Sequence, residues 1–166
     1  MDYFWLNVLI LIIGLLVLWE VNVPVRRKEE QCDRKVNVID NKKDFSEAEL
    51  KELFSSCGWS SAKKPDVLVL AFHNASNVVC AYDKDKLVGI ARSMDDGFWS
   101  SNIDCVLVHK DWQNRGIGTK LIQSLLQKLS NIEYINLCPD ERENVKFYKQ
   151  FGFKVIKGCY LQLKNK

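Results

Sequence analysis

Two rhythms of apolar residues divide the chain. From Tyr3 to Trp19 it is apolar at nearly every position, interrupted only by Asn7 and Gly14; from Val36 onward, apolar and polar residues alternate in short runs. The first run is about 17 residues long, and at about 1.5 Å per residue it makes a helix of about 25 Å, which Val21 and Val23 can extend towards the ~30 Å of a hydrocarbon core. Tyr3, Phe4, Trp5 and Trp19 resemble interfacial aromatic belts, and Arg26, Arg27 and Lys28 follow while only Asp2 precedes. This pattern predicts a single-pass transmembrane helix over residues 1–23, with the body facing the cytoplasm. A cleaved signal peptide fits less well, because the run lacks a basic start and a small-residue cleavage site. A core helix apolar all round would need a larger domain to surround it. Residues 24–35 are charged, poor in apolar side chains, and read as a linker.

In the body, Val36 to Ile39 suits a short strand, and Ser46 with Glu49 stands at capping-box spacing, so a helix should start there. Pro65 occupies a favoured first helical position, although the Val-rich run behind it keeps strand as a rival. NVVCAYD and LVGIARSM flank a hairpin signal, Asp83 to Lys86, and Ile103 to Val108 makes a further strand. Ile117, Leu121, Ile122, Leu125, Leu126 and Leu129 then fall on one helical face. After them come a strand over IEYINL, a helix over RENVKFYKQF stopped near Gly152, and a last hairpin through FKVI and CYLQL. With no internal repeat, this alternation predicts one α+β layered domain over residues 36–166.

Composition narrows the partners. With 24 basic and 21 acidic residues the net charge is only +3, too weak and too mixed for a nucleic-acid surface, and no arginine stripe interleaves with aromatics. Cys32, Cys57, Cys80, Cys105, Cys138 and Cys159 are spread singly, so reduced thiols rather than a disulfide framework are expected. Without chelate pairs, and with His73 and His109 far apart, no metal site is expected.

Gly116 and Gly118 stand where a basic loop enters the amphipathic helix. A helix start presents free N–H groups and a positive dipole end, which suit phosphate oxygens. Glycine removes the Cβ that would hold an anion away, and Arg115 adds charge to the same rim. A P-loop would need Gly-Lys-Ser/Thr, but Thr119 and Lys120 follow Gly118 in the reverse order, and a dinucleotide loop wants a small residue where Leu121 stands. The chemistry points to a pyrophosphate; the plainer alternative is two glycines serving a tight turn.

Gln113 to Gly118 matches the Gln/Arg-x-x-Gly-x-Gly/Ala signature of the GNAT superfamily of N-acetyltransferases, and FYKQFGF, from Phe147 to Phe153, resembles its second signature. LVGIARSMDDG, from Leu87, resembles the strand before the cofactor strand, most of all in small single-domain members that include the plastid arylalkylamine type. The resemblance covers about Val36 to Leu163. It implies a mixed sheet, splayed between two central strands and flanked by helices, with the pantetheine of acetyl-CoA in the splay. Backbone groups of Val106 and Val108 would pair with the pantetheine. The pyrophosphate would rest on N–H groups of Arg115, Gly116, Ile117, Gly118 and Thr119, behind Gln113.

By the same resemblance Tyr148 would protonate the departing thiolate, since a phenol of pKa ~10 can donate to a thiol of pKa ~8.5; otherwise it is a core aromatic. For the base, Asp96 matches an acidic position in the resembling subgroup, and Asp104 would share a face with Val106 and Val108 by strand alternation. Either could be a surface carboxylate. His109 reads as a bystander and Cys105 as an interior thiol. Arg142 and Glu141 stand where the family often places a CoA-contacting asparagine, and Cys105 where close relatives place aspartate. The expected activity is acetyl transfer from acetyl-CoA to a primary amine of a small molecule or a protein, by direct attack. The alternative from another class is a catalytically weak acetyl-CoA-binding module that recruits a protein partner.

Overall fold

The computed structural model describes residues 36–156. Five strands lie in sequence order across one sheet: β1 (Asn37–Asp40), β2 (Asn77–Asp83), β3 (Lys86–Asp95), β4 (Ser100–Val108) and β5 (Tyr134–Leu137). Neighbours are antiparallel except β4 and β5, which are parallel, so the sheet is mixed. The helices are α1 (Glu47–Ser56), α2 (Pro65–His73), α3 (Ile117–Lys128) and α4 (Val145–Lys149).

Local chemistry starts these elements. The Glu49 N–H donates to Ser46 Oγ (3.2 Å) and the Ser46 N–H to Glu49 Oε2 (2.8 Å), so two otherwise orphaned donors are satisfied at the start of α1. Pro65 opens α2, which decides the helix–strand rivalry in favour of helix. Leu50, Leu53, Phe54, Leu68 and Phe72 from α1 and α2 pack on one face of the sheet, against Val78, Cys80, Tyr82 and Ile90. Ile117, Leu121, Ile122, Leu125 and Leu129 pack on the other, against Val79, Ala81, Val88, Ala91 and Ile103. Close approach of α3 depends on Gly89, where a Cβ would lie 3.0 Å from Ile117 Cγ2 and 3.1 Å from Leu121 Cδ1.

One irregularity organises the site. Ile90 pairs with Leu107 but Arg92 pairs with Asp104, so Ala91 alone faces both Cys105 and Val106. This is a β-bulge, and Cys105 adopts φ 51° within it. The extra residue reverses the faces of β4: Ile103 packs under α3, Cys105 and Leu107 pack towards α1 and α2, and Val106 and Val108 return to the α3 side. The expectation that Asp104 shares a face with Val106 and Val108 is therefore corrected, because simple alternation does not cross a bulge.

Other expectations change as well. The helix expected over 142–151 begins as a 3-10 turn at Arg142–Asn144, and α4 itself is only Val145–Lys149, closed by Gly152 at φ 91°. Phe153 to Ile156 form no strand, for no ladder partner adjoins them among the described residues, and CYLQL lies outside those residues. The cytoplasm-facing single-pass membrane protein is also corrected: among the described residues no helix is long and apolar enough to cross a membrane. With 12 residues, α3 spans about 18 Å and is apolar on one face only. Tyr3 to Trp19 and the linker lie outside the described residues.

The bulge is testable. A β-branched side chain resists positive φ, so Cys105→Val should lower unfolding free energy by about 1–3 kcal/mol, while Cys105→Gly should stay within about 1 kcal/mol of the parent in urea titrations.

Candidate functional site

β4 pairs with β5 only from Ser100 to Ile103, opposite Tyr134 to Leu137, and then runs on to Val108 past the end of its partner. Beyond Ile103 that side of β4 has no strand partner among the described residues and is a backbone edge. The His109 N–H donates to Val88 O (2.9 Å), so by antiparallel alternation Leu107 also turns its amide to β3, while Val106 and Val108 turn theirs to the open edge. The Val108 carbonyl there already accepts from Gln113 Nε2 (3.1 Å) and from the Cys57 thiol (3.3 Å). Val106 offers its backbone to the same edge.

The start of α3 faces this edge. Gly116 is its N-cap at φ 74°, and an added Cβ would meet nothing within 4 Å, so backbone conformation rather than space demands glycine there. At Gly118 space decides: a Cβ would stand 3.3 Å from Phe147 Cζ and 3.7 Å from Val108 Cγ2. Three elements, β4, α3 and α4, converge at that point. Ile117 buries its side chain in the core, and Thr119 is half-buried, so the rim they form is largely main chain. The first N–H to return a bond within the helix is that of Lys120, to Gly116 O (3.1 Å), and the earlier ones have no intrahelical acceptor.

Arg115 is held at this rim by its Nη2, which donates to Asp111 O (2.7 Å), with its guanidinium 5.9 Å from the Trp112 ring centre. Trp112 in turn donates from Nε1 to Asp83 Oδ2 (3.0 Å) and carries the Lys86 ammonium 4.7 Å from its ring centre. Trp112 thus ties the loop before the glycines to the β2–β3 hairpin. Sequence reading missed both it and Cys57, since neither lies within a recognised spacing. Arg115, a helix N-terminus and bare backbone together form a rim fit for an anion such as a pyrophosphate, whereas the Lys86 ammonium is paired with Glu52 Oε1 (2.6 Å).

Tyr148, on α4 beside Phe147, lines a cleft of about 940 Å³ along β5, together with Leu126, Leu137, Pro139 and Phe153. Burial, and then the Asp140 charge, raise its phenol pKa, so the group is protonated at neutral pH. The acids lie elsewhere. Asp104 accepts Arg92 Nε at Oδ1 (2.6 Å) and Nη2 at Oδ2 (3.0 Å), on the sheet face opposite α3. Asp96 sits at the far end of the β4–β5 ladder, where its Oδ1 accepts the N–H groups of Phe98 (3.0 Å), Trp99 (2.7 Å) and Ser100 (3.1 Å). Those bonds, the one from Phe98 foremost, hold its carboxyl below the usual range. The structure thus gathers Val106, Val108, Gln113, Arg115, Gly116, Ile117, Gly118 and Thr119, with Tyr148 adjoining through Phe147. It leaves Asp96 remote and Asp104 on the reverse side.

Burial, and then Asp104, push the Cys105 thiol up to about 12, which leaves it un-ionised and a poor nucleophile. Cys57, Cys80, Cys105 and Cys138 are free thiols. Among the described residues no cluster of three His, Cys, Asp or Glu is placed to hold a metal ion.

Comparison with known proteins adds to this geometry. The family model described as acetyltransferase (GNAT) domain matches residues 74–155. The uncharacterized N-acetyltransferase ycf52 of Pyropia yezoensis is 32% identical over 134 residues, which cover 75% of this chain and 76% of that one. The histone acetyltransferase TAP1 of Glycine max is 29% identical over 68% of this chain and 55% of its own length. Among solved structures, a GNAT family acetyltransferase from Streptococcus pneumoniae superposes with a TM-score of 0.67 at 22% identity, covering 78% of this chain and 99% of that one.

His109 closes β4 structurally. Its Nδ1 accepts the Asp111 N–H (3.3 Å) and its ring meets Trp112 edge-on at 4.7 Å. Burial, and then the Lys86 charge, lower its pKa from the ordinary 6.5. A lowered folded-state value means that His109 supports stability above pH ~6.5 and withdraws that support as pH falls through its folded pKa. In an NMR titration its ring signals should therefore move only below pH ~6.5, with stability declining over the same range.

Proposed function

The chain belongs to the GNAT superfamily of acetyltransferases, and on that footing we propose that it transfers an acetyl group from acetyl-CoA to a primary amine by direct attack in a ternary complex. The observation that carries this reading is the convergence at Gly118, where the open β4 edge, the start of α3 and the aromatic face of α4 meet. In this reading the acetyltransferase domain is residues 36–166. The backbone of Val106 and Val108 aligns the pantetheine, and Gln113 yields the Val108 carbonyl to it. The N–H groups from Arg115 to Thr119, with the Arg115 guanidinium beside them, receive the pyrophosphate.

Binding both substrates in one site turns a bimolecular encounter into an oriented intramolecular attack, a gain of about 7–11 kcal/mol at its upper range. Tyr148, kept protonated by burial, is the donor to the departing CoA thiolate. Of the two acids, Asp104 is the one retained, as the charge beside the incoming amine. Its bidentate pairing with Arg92 keeps it an anion, which favours an amine arriving as ammonium; the ammonium gives up its proton through water to bulk solvent, and the neutral amine then attacks the thioester carbonyl. The carboxyl of Asp96 is committed to its own loop, which argues against a catalytic role. The relative named as a histone acetyltransferase supports an amino group of a protein as one acceptor, beside small amines.

The test is acceptor-dependent thiol release from acetyl-CoA across an amine panel. Tyr148→Phe should reduce kcat about 100-fold and leave the KM for acetyl-CoA within about threefold. Gly118→Val should weaken CoA binding at least about tenfold while the chain remains folded. A folded protein that binds CoA yet releases no thiol with any amine would sink the enzyme mechanism, and unchanged CoA affinity in Gly118→Val would remove the pyrophosphate from this rim.

A further inference from the structure

The loop from His109 to Gly116 joins β4 to α3 and carries Arg115, and one buried imidazole sets its shape. Asp111 is held at both ends of its backbone: its N–H donates to His109 Nδ1 (3.3 Å), and its carbonyl accepts Arg115 Nη2 (2.7 Å). The same imidazole caps the 3-10 turn Lys110–Trp112, and the Trp112 N–H returns to His109 O (2.8 Å). Trp112 completes the loop, since its ring meets His109 edge-on at 4.7 Å and lies 5.9 Å from the Arg115 guanidinium. Arg115 therefore rests on two supports, the Asp111 carbonyl and the Trp112 ring. His109 touches the residue that supplies each. It is itself fixed, being 6% exposed and tied through its N–H to Val88 O (2.9 Å).

An imidazole that accepts at Nδ1 is neutral and carries its proton on Nε2. Protonation reverses that contact, because Nδ1 becomes a donor facing the donor N–H of Asp111. A replacement acceptor stands close by, for Asp111 Oδ2 lies 3.9 Å from Nδ1. The protonated ring thus exchanges the backbone of Asp111 for its carboxylate, which turns Asp111 and withdraws its carbonyl from Arg115. The other charges around the ring are already engaged or outside it. Lys86 of β3 is paired with Glu52 of α1 at 2.6 Å, Asp83 of β2 accepts the Trp112 indole N–H, and Lys110 is exposed. Burial foremost, and then Lys86, favour the neutral ring, against an opposing pull from Asp111 and Glu52.

Resting on the donor site proposed at the start of α3, we infer that His109 is the positioning residue of that site. As neutral imidazole it holds Asp111 so that Arg115 is aimed at the pyrophosphate of acetyl-CoA, and on protonation it releases that arginine. The ring touches no reacting atom, so its action passes through Asp111 and Trp112 to Arg115. Donor affinity is accordingly full above the ordinary imidazole value of about 6.5 and falls as pH drops through the lower folded-state value.

The experiment measures the Kd of the full chain for CoA, and for pantetheine, which lacks the pyrophosphate, at pH ~7.5 and ~5, with circular dichroism confirming a folded protein at each. CoA should bind at least about threefold more weakly at the lower pH, and pantetheine equally at both. His109→Ala should weaken CoA about tenfold at the higher pH, because the cap that holds Asp111 is lost. His109→Asn should recover most of that affinity and lose the histidine-dependent fall, because Asn Oδ1 stands as far along its side chain as Nδ1 and does not titrate. In an Arg115→Ala background, His109→Ala should cost nothing further. The parent and His109→Asn curves decide the matter even where His109→Ala fails to fold. Equal weakening of pantetheine, additive effects of His109→Ala and Arg115→Ala, or a His109→Asn variant as pH-dependent as the parent would overturn the inference and leave acetyl transfer intact. A parent that binds no CoA at the higher pH would instead remove the donor site, and this role of His109 with it.

Discussion

A single extra residue in β4 governs how the other parts of the site relate to one another. Because Ala91 faces both Cys105 and Val106, the face pattern of β4 reverses midway along the strand. Before the bulge, Asn102 and Asp104 look away from α3; after it, Val106 and Val108 look towards α3. The same strand thus presents side chains to two opposite surfaces, the one under α3 and the one towards α1 and α2. Pairing of β4 with β5 stops at Ile103, so the rest of β4 has no strand partner on that side among the described residues. A positive φ at a non-glycine residue costs on the order of 1–3 kcal/mol, and persists only where its surroundings over-determine it. Here the Arg92–Asp104 pair on one side and the Ile90–Leu107 pairing on the other bracket the strained residue.

Charge is distributed to match. The start of α3 combines a helix N-terminus with Arg115, whose guanidinium lies against the Trp112 ring, while Lys86 on the same ring is paired with Glu52. On the face opposite α3, Arg92 is paired with Asp104 at 2.6 Å.

Much of this was legible in the chain. Ser46 and Glu49 announced α1 because a capping box is a local bargain between neighbours, whereas Pro65 marked a helix start that the Val-rich run behind it left in rivalry with a strand until packing decided it. The apolar stripe from Ile117 to Leu129 announced α3, and Gly116 with Gly118 announced its special entrance. The reason for each glycine was less legible: Gly116 answers to a backbone angle, Gly118 to the ring of Phe147, which lies far along the chain. Gly89 was not singled out at all, since its demand comes from a helix packed across it. The two acids were misjudged for the same reason. Asp96 looked free in sequence but accepts N–H groups from its own loop, and Asp104 was placed by an alternation that the bulge breaks.

By itself, the sequence determined the order of strands and helices, the position of the glycine turn that opens α3, and the superfamily that those motifs announce. These rest on short-range chemistry, in which a residue's neighbours within about four positions set its preference. Tertiary structure alone decided which face each residue of β4 presents, where the backbone edge is left bare, and which half of the sheet remains open. Those outcomes depend on register between strands and on contacts between distant segments, such as Ala91 against Cys105 and Val106 or Phe72 against Arg92, and no local pattern encodes them.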